Sequence, residues 1–374
     1  MAHCARSDAS TEAICTKALI AERIGRGDAL PQQPMSDRNP DANLAEKVAV
    51  LSRADSYPGQ IGRVETLETH MSWVFLTDCH AYKLKKPVRL AFLDFSTLRA
   101  RERDCREEIR LNRRLAPDTY LGVVPMTMDE DGNPRLGGKG RVIDWLVKMR
   151  RLPGDLMLDE VIAAGKADAA VVGKVADLLS RFYTEAPPVA LSPSDYIERF
   201  EREIDEHRRE LTLPDYGMPA ETVSAVILAQ DAFLRTSASL LGQRVRDKRI
   251  VEGHGDLRPE HVFVGDPPEV IDCLEFSMAF RTVDPADELA FLWMECAHLG
   301  APGVGEGIWR AYVDRTGDTV PEALAYFYQS QRACLRAKLS LWHLKDHDIR
   351  EPAKWRSKAK SYLALARAAA AHYA

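Results

Sequence analysis

Near its middle the chain changes hydrophobic period, and few architectures accommodate that switch. Three short segments, 64–69, 72–77 and 80–84, repeat with a period of two, are rich in Val, Phe, Trp and Thr, and are separated by turn-forming residues. They predict three antiparallel strands. Phe95-Ser96-Thr97 offers an N-cap for a long helix over 98–115, which Ala116-Pro117 stops. Two further strands are expected at 123–128 and 142–149, joined through Asp131-Gly132-Asn133-Pro134, and a short helix at 44–53 precedes the whole set. Past Pro153-Gly154 the period is helical, over 156–164, 168–185, 194–210, 220–241, 286–299, 305–316, 321–345 and 353–371. A small island of strand interrupts at 250–251, 261–264 and 270–271, with Gly265-Asp266-Pro267-Pro268 turning the last two into a hairpin. The pattern predicts a β-rich first lobe (44–150) and a helical second lobe (151–374), preceded by a flexible extension over 1–43. Within that extension only 14–24 has helical spacing, and Met35 is an alternative start.

Composition narrows the function classes. With 374 residues, 45% hydrophobic and 29% charged, the chain has the profile of a soluble globular protein. A net charge of −5 gives no reason to expect nucleic acid or a membrane as partner. Charge is uneven: between Lys83 and Arg114 there are eleven Lys/Arg against five Asp/Glu, which suits an anionic ligand such as a nucleotide, or a solvated helix face. Seven scattered cysteines without a Cys-x-x-Cys pair point to reduced thiols and a cytoplasmic setting. No apolar run approaches the roughly 20 residues of a membrane helix.

The densest chemical signal is Glu252-Gly253-His254-Gly255-Asp256-Leu257-Arg258-Pro259-Glu260-His261. It follows a short strand and precedes the hairpin, at whose end, sixteen residues after Asp256, stands Asp272. A bare His-x-Asp is usually a satisfied turn; a hairpin and second Asp in register argue for more. The set resembles the protein-kinase loop H-R-D-L-x-x-x-N with its following metal-binding Asp. It is more closely similar to the aminoglycoside phosphotransferase-like family, which includes choline and fructosamine kinases and whose loop reads His-Gly-Asp-x-His-x-x-Asn. Asp284-Pro285-Ala286-Asp287-Glu288-Leu289-Ala290 resembles that family's Asp-Pro-x-x-Asp-Leu-Ala stretch. The likeness extends over roughly residues 60 to 340.

That resemblance implies an α+β, bilobal protein-kinase-like fold and an ATP-dependent phosphotransferase. Asp256 is then the catalytic base and Asp272 the principal Mg2+ ligand, with Mn2+ also possible. Lys83, in His80-Ala81-Tyr82-Lys83, takes the place of the lysine that holds the α- and β-phosphates, with Lys85 as runner-up on the same strand face. Its carboxylate partner belongs on the next helix; Glu108 lies beside the apolar stripe and is preferred over Glu107. The backbone around Met149 and Arg150 is expected to meet adenine. Three positions depart from the family pattern. The turn over the phosphates, Thr69-His70-Met71-Ser72, has no glycine and leaves Ser72 and backbone amides to serve; His261 replaces the Asn that carries a second metal; and Arg258 replaces a His, to steady the phosphate or to form an ion pair. Arg332, Arg336 and Lys338 on one helix are expected as a solvated or salt-bridged face, and His298 and His343 have no partner at metal spacing.

The sequence therefore predicts transfer of the γ-phosphate of ATP to a hydroxyl of a small molecule. A protein-directed kinase or nucleotidyltransferase and a non-catalytic nucleotide-binding module are the alternatives.

Overall fold

Two interior strands of a six-stranded antiparallel sheet carry the first unit, and what they hold explains the alternating pattern of the sequence. The computed structural model describes residues 43–69, 71–90, 93–345 and 351–374. The predicted extension, the segment 14–24 and Met35 lie outside them, as does His70 of the phosphate turn. The strands are β1 (Glu65–Glu68), β2 (Ser72–Leu76), β3 (His80–Lys85), β6 (Tyr120–Met128), β7 (Pro134–Leu136) and β8 (Arg141–Arg150), in the order β1-β2-β3-β8-β6-β7; β4 (Arg89–Leu90) and β5 (Leu93–Asp94) form a separate hairpin. Alternate residues face opposite sides. Phe75, Tyr82, Leu84, Ile143 and Leu146 pack with Leu51 and Tyr57 on one side, while Val147 and Tyr120 pack with Cys105 and Ile109 on the other.

Helix α1 (Leu44–Leu51) opens with a capping box between Asn43 and Glu46, and α2 (Leu98–Asn112) with the Thr97 hydroxyl accepting from the Ala100 amide. Asp144 on β8 ties both helices to the sheet, accepting from Lys47 Nζ at 2.9 Å and from Arg101 at 2.7 and 3.1 Å. The long helix ends three residues before the expected 115. Asn112 uses its side chain there instead, donating Nδ2 to the Glu108 carbonyl at 2.9 Å and accepting the Cys273 amide at 2.8 Å.

The second unit is helical: α3 (Leu158–Ala163), α4 (Ala169–Glu185), α5 (Pro193–Leu211), α6 (Ala220–Arg246), α7 (Met278–Arg281), α8 (Pro285–His298), α9 (Pro302–Thr316), α10 (Glu322–Trp342) and α11 (Pro352–Ala370). Two ribbons interrupt it. Strands β10 (Val262–Phe263) and β11 (Glu269–Val270) form the expected hairpin, whereas β9 (Val251–Glu252) pairs with β12 (Thr282–Val283). Neither β12 nor α7 was legible in the periodicity, since two and four residues are too short to show one. Helix α10 is buried on nearly every side, and its basic residues are paired: Arg332 with Asp287 at 2.6 Å, Arg336 with Glu295 at 2.7 Å, and Lys338 with Glu206 at 3.0 Å. No described helix is long and apolar enough to cross a membrane.

The architecture is the α+β protein-kinase-like fold. Its two compact units divide at Pro153, and Ile271–Ser277 belongs to the first. That segment stands with the first unit because Asp272, Cys273 and Glu275 find their partners on α2, β3 and β6.

Candidate functional site

The chemistry-bearing residues form two sets, one in each unit. In the first, β3 is hydrogen-bonded on both edges, so Lys83 stands in fixed register between Val74 and Val147. Its Nζ lies 2.9 Å from Glu108 Oε1, 3.4 Å from Asp272 Oδ1 and 3.9 Å from Glu275 Oε1. Burial alone would lower the pKa of this ammonium, but the charges of Glu108, Asp272 and Glu275 outweigh it and hold the group above the ordinary lysine range. Glu107, one residue earlier on the helix, instead pairs with Arg110 on the exposed face at 2.7 Å.

Asp272 has a φ of 62°, in the left-handed region that residues with a side chain seldom enter. Two side chains hold that backbone: the Asp272 amide donates to the Tyr120 hydroxyl at 3.0 Å, and the next amide to Asn112. The strained turn thereby keeps the Asp272 carboxylate beside Lys83. A carboxylate oxygen in this place suits a hard cation such as Mg2+ or Mn2+. Among the described residues, the one carboxylate cluster with metal-like spacing is Asp104, Glu108 and Glu275. An internal cation already fills it: Lys85 Nζ lies 2.5, 2.7 and 2.8 Å from these three groups.

Ser72 opens β2 opposite Lys85, and Thr69 closes the turn before it by donating its hydroxyl to the Ser72 carbonyl and accepting the Ser72 amide, both at 2.8 Å. Met149 and Arg150 remain inside β8, where Met149 is in register with Ala81 and Tyr120. The Arg150 amide donates to the Thr119 carbonyl and the Arg151 amide to the Cys79 carbonyl. The sheet runs one residue further than expected, to Arg150.

In the second unit, the loop between β9 and β10 is organised by a carboxylate from α8. Glu288 accepts the His254 amide at 2.9 Å, the Gly255 amide, and the Tyr183 hydroxyl at 2.8 Å. Burial raises its pKa, and those three donors pull it back only in part. A side chain at Gly253 would collide with Glu288 and Val283, and Gly255 has a φ of 88°, so both glycines are required by the turn. Asp284 caps α8 at the Ala286 amide and pairs with Arg244 at 2.6 and 2.7 Å, while Asp287 is bidentate to Arg332. The acidic stretch 284–288 thus anchors α8 and the loop at once.

Asp256, 1% exposed, has its amide 3.3 Å from His254 Nδ1. His261 Nδ1 lies 2.8 Å from the Asp256 carbonyl oxygen and 3.7 Å from its Oδ2. With that ring nitrogen turned to the backbone, Nε2 is the ring's other donor atom, softer than the expected Asn oxygen. Arg258 is wholly buried, 3.3 Å from Asp256 Oδ1 and 2.9 Å from Glu260 Oε1. Burial would push the Glu260 carboxyl up, but Arg258, His261 and Arg336 hold it below its ordinary range.

Sequence reasoning did not single out Asp104, Glu275, Tyr120, Asn112, Tyr183 or the role of Glu288. Two signals were present. Asp104 is one helical turn before Glu108, and Glu275 lies one short step after Asp272. His298 and His343 stack on Tyr362 and Trp355 and take no part in either set.

The sequence profile of the Phosphotransferase enzyme family matches residues 80–326. An uncharacterised protein of Mycobacterium tuberculosis (strain H37Rv) is 32% identical over 279 residues, which is 74% of this chain and 54% of that protein. An uncharacterised protein of Mycobacterium bovis gives the same figures. The chain spans about half the length of the curated relatives it matches. Among solved structures, the apo form of a thermostable mutant of aminoglycoside phosphotransferase APH(4)-Ia aligns with a TM-score of 0.52 at 13% identity, covering 86% of this chain and 98% of that one. At that identity the likeness speaks for the fold alone.

Proposed function

Because this chain belongs to the phosphotransferase enzyme family, we propose that it transfers the γ-phosphate of ATP to a hydroxyl group of a small molecule. The observation that carries this reading is the buried Lys83–Glu108 pair with Asp272 beside it, 3.4 Å from the same ammonium. Lys83, held rigid by Glu108, binds the α- and β-phosphates. Asp272 would hold Mg2+ or Mn2+ through its carboxylate, and the chemistry such a cation would supply is neutralisation of charge on the phosphate oxygens. Asp256 orients the acceptor hydroxyl and takes its proton. Arg258 serves through its ion pairs, fixing Asp256 and Glu260, and His261 offers Nε2 as a weak second metal ligand. Ser72 and the turn before it cover the phosphates, and the backbone around Met149 and Arg150 meets adenine. Positioning and charge neutralisation supply most of the acceleration, the base a smaller share.

The test is a thermal-shift titration with ATP in magnesium, in manganese and without metal, followed by a screen of hydroxylated acceptors for ADP release. ATP at about 100 times its Kd adds roughly 2.7 kcal/mol to stability. Asp272→Ala loses the metal-dependent shift, whereas Asp256→Asn keeps the shift and loses turnover. Full activity in Asp256→Asn rejects the assigned base. No shift with ATP or GTP under any metal condition rejects the nucleotide site and leaves a degenerate member of the fold; a product heavier by a nucleotide, on a protein, indicates nucleotidyl transfer.

A further inference from the structure

Lys85 has no part in the mechanism above, yet among the described residues it is the most enclosed cation in the first unit, at 0% exposure. A lysine is almost never buried so completely unless its charge is matched, and here three carboxylates from two elements match it. Asp104 and Glu108 come from successive turns of α2, and Glu275 from the Ile271–Ser277 segment. The Phe95 ring closes another side, with its centroid 5.2 Å from Nζ. No ligand reaches an ammonium so enclosed, which removes Lys85 as a phosphate-gripping amine.

The arrangement of charges is an alternating chain. Glu108 is divided between the two lysines, Oε1 to Lys83 and Oε2 to Lys85. Glu275 lies 2.8 Å from Lys85 but 3.9 Å from Lys83, so Lys85 is its principal cation. Asp104 touches Lys85 alone of the two. We propose that Lys85 is a positioning residue: it fastens the Ile271–Ser277 segment to β3 and α2, and thereby sets where Asp272 and the Lys83–Glu108 pair stand.

Without the Lys85 charge, Asp104, Glu108 and Glu275, whose oxygens lie within 4.8 Å of one another, repel each other at close range. Glu275, already 3.9 Å from Lys83, then competes more strongly for that ammonium with Glu108 and Asp272. The geometric part of this inference stands by itself; its catalytic consequence rests on the function proposed above.

The experiment separates the two. Hydrogen exchange, read by mass spectrometry on the peptide containing 271–277, and the Kd for Mg·ATP are measured for the wild type, Lys85→Met, Glu275→Gln and Asp104→Asn. Lys85→Met and Glu275→Gln speed exchange at the Asp272 and Cys273 amides and raise the Kd about 10–100-fold, the range for partners that orient a metal ligand. Asp104→Asn, which touches Lys85 but not the segment, changes both much less. Should Lys85→Met fail to fold, Glu275→Gln carries the test. Local acceleration with no Mg·ATP binding by the wild type sustains the fastening and rejects the nucleotide reading. Unchanged exchange in the segment, or acceleration spread evenly over the chain, overturns the proposal.

Discussion

Replacing Glu288 with alanine removes three acceptor contacts from the loop that carries Asp256 in a single step. The His254 and Gly255 amides and the Tyr183 hydroxyl all donate to this carboxylate, and all are buried. A buried donor left without its acceptor costs about 1–3 kcal/mol, so the two amides and the hydroxyl together lose about 3–9 kcal/mol. Part of that is returned, because burial already disfavours the Glu288 charge in the native protein. A net loss of about 3–4 kcal/mol is expected, a large fraction of the roughly 5–15 kcal/mol that a folded domain has. Tyr183→Phe removes one hydroxyl donor and costs about 1 kcal/mol. In the Glu288→Ala background it costs almost nothing, because its acceptor is gone. Urea unfolding of the four proteins measures these values from the midpoint at constant slope. If Glu288→Ala unfolds within about 0.5 kcal/mol of the wild type at an unchanged slope, within the range of ordinary surface substitutions, the loop is held by something else and the reasoning fails.

Burial pushes the Asp104 carboxyl up to about 6 from its ordinary 3.8, against the pull of Lys85. The folded protein therefore keeps a proton that the unfolded chain releases, and stability falls as pH rises from about 4 to 6, by at most about 3 kcal/mol for this group. Asp104→Asn flattens that part of the pH–stability curve; parallel curves for both proteins would contradict it. Gly253→Ala drives a methyl group into Glu288 and Val283 and is expected to lower stability by about 1–3 kcal/mol, read as a fall in Tm. An unchanged Tm would show that the loop has room.

What could be read from the sequence was whatever is local or rhythmic. The alternation through β2 and β3, the Thr97 cap and the turn at Asp266-Pro267 each stand within a few residues of their cause. Lys83 came from the family resemblance, since the strand period leaves Lys85 on the same face, and the helix period then favoured Glu108 over Glu107. Less accessible were contacts that close over long distances. Nothing near Glu275 announces that it meets Lys85, 190 residues earlier. Tyr183 sits 105 residues from the carboxylate it supports. The end of α2 was misjudged for the same reason, since Asn112 is recruited by Cys273, 161 positions away. Strand β12 escaped because its two residues acquire a strand conformation only by pairing with β9.

The membership of Ile271–Ser277 in the first unit also has a consequence in time. On a ribosome, the sheet, α2, Lys83 and Lys85 emerge first, with Glu108 and Asp104 as the acidic partners of these two lysines. Asp272 and Glu275 arrive after more than a hundred further residues. At about 5–20 residues per second that interval lasts roughly 6–25 s. Through it the nascent first unit carries a gap in its charge pattern and in its packing around Phe95 and Met71, where Phe276 will later sit. A fragment ending at Pro153 would remain in that unfinished state, because the chain has to return before its own beginning is complete.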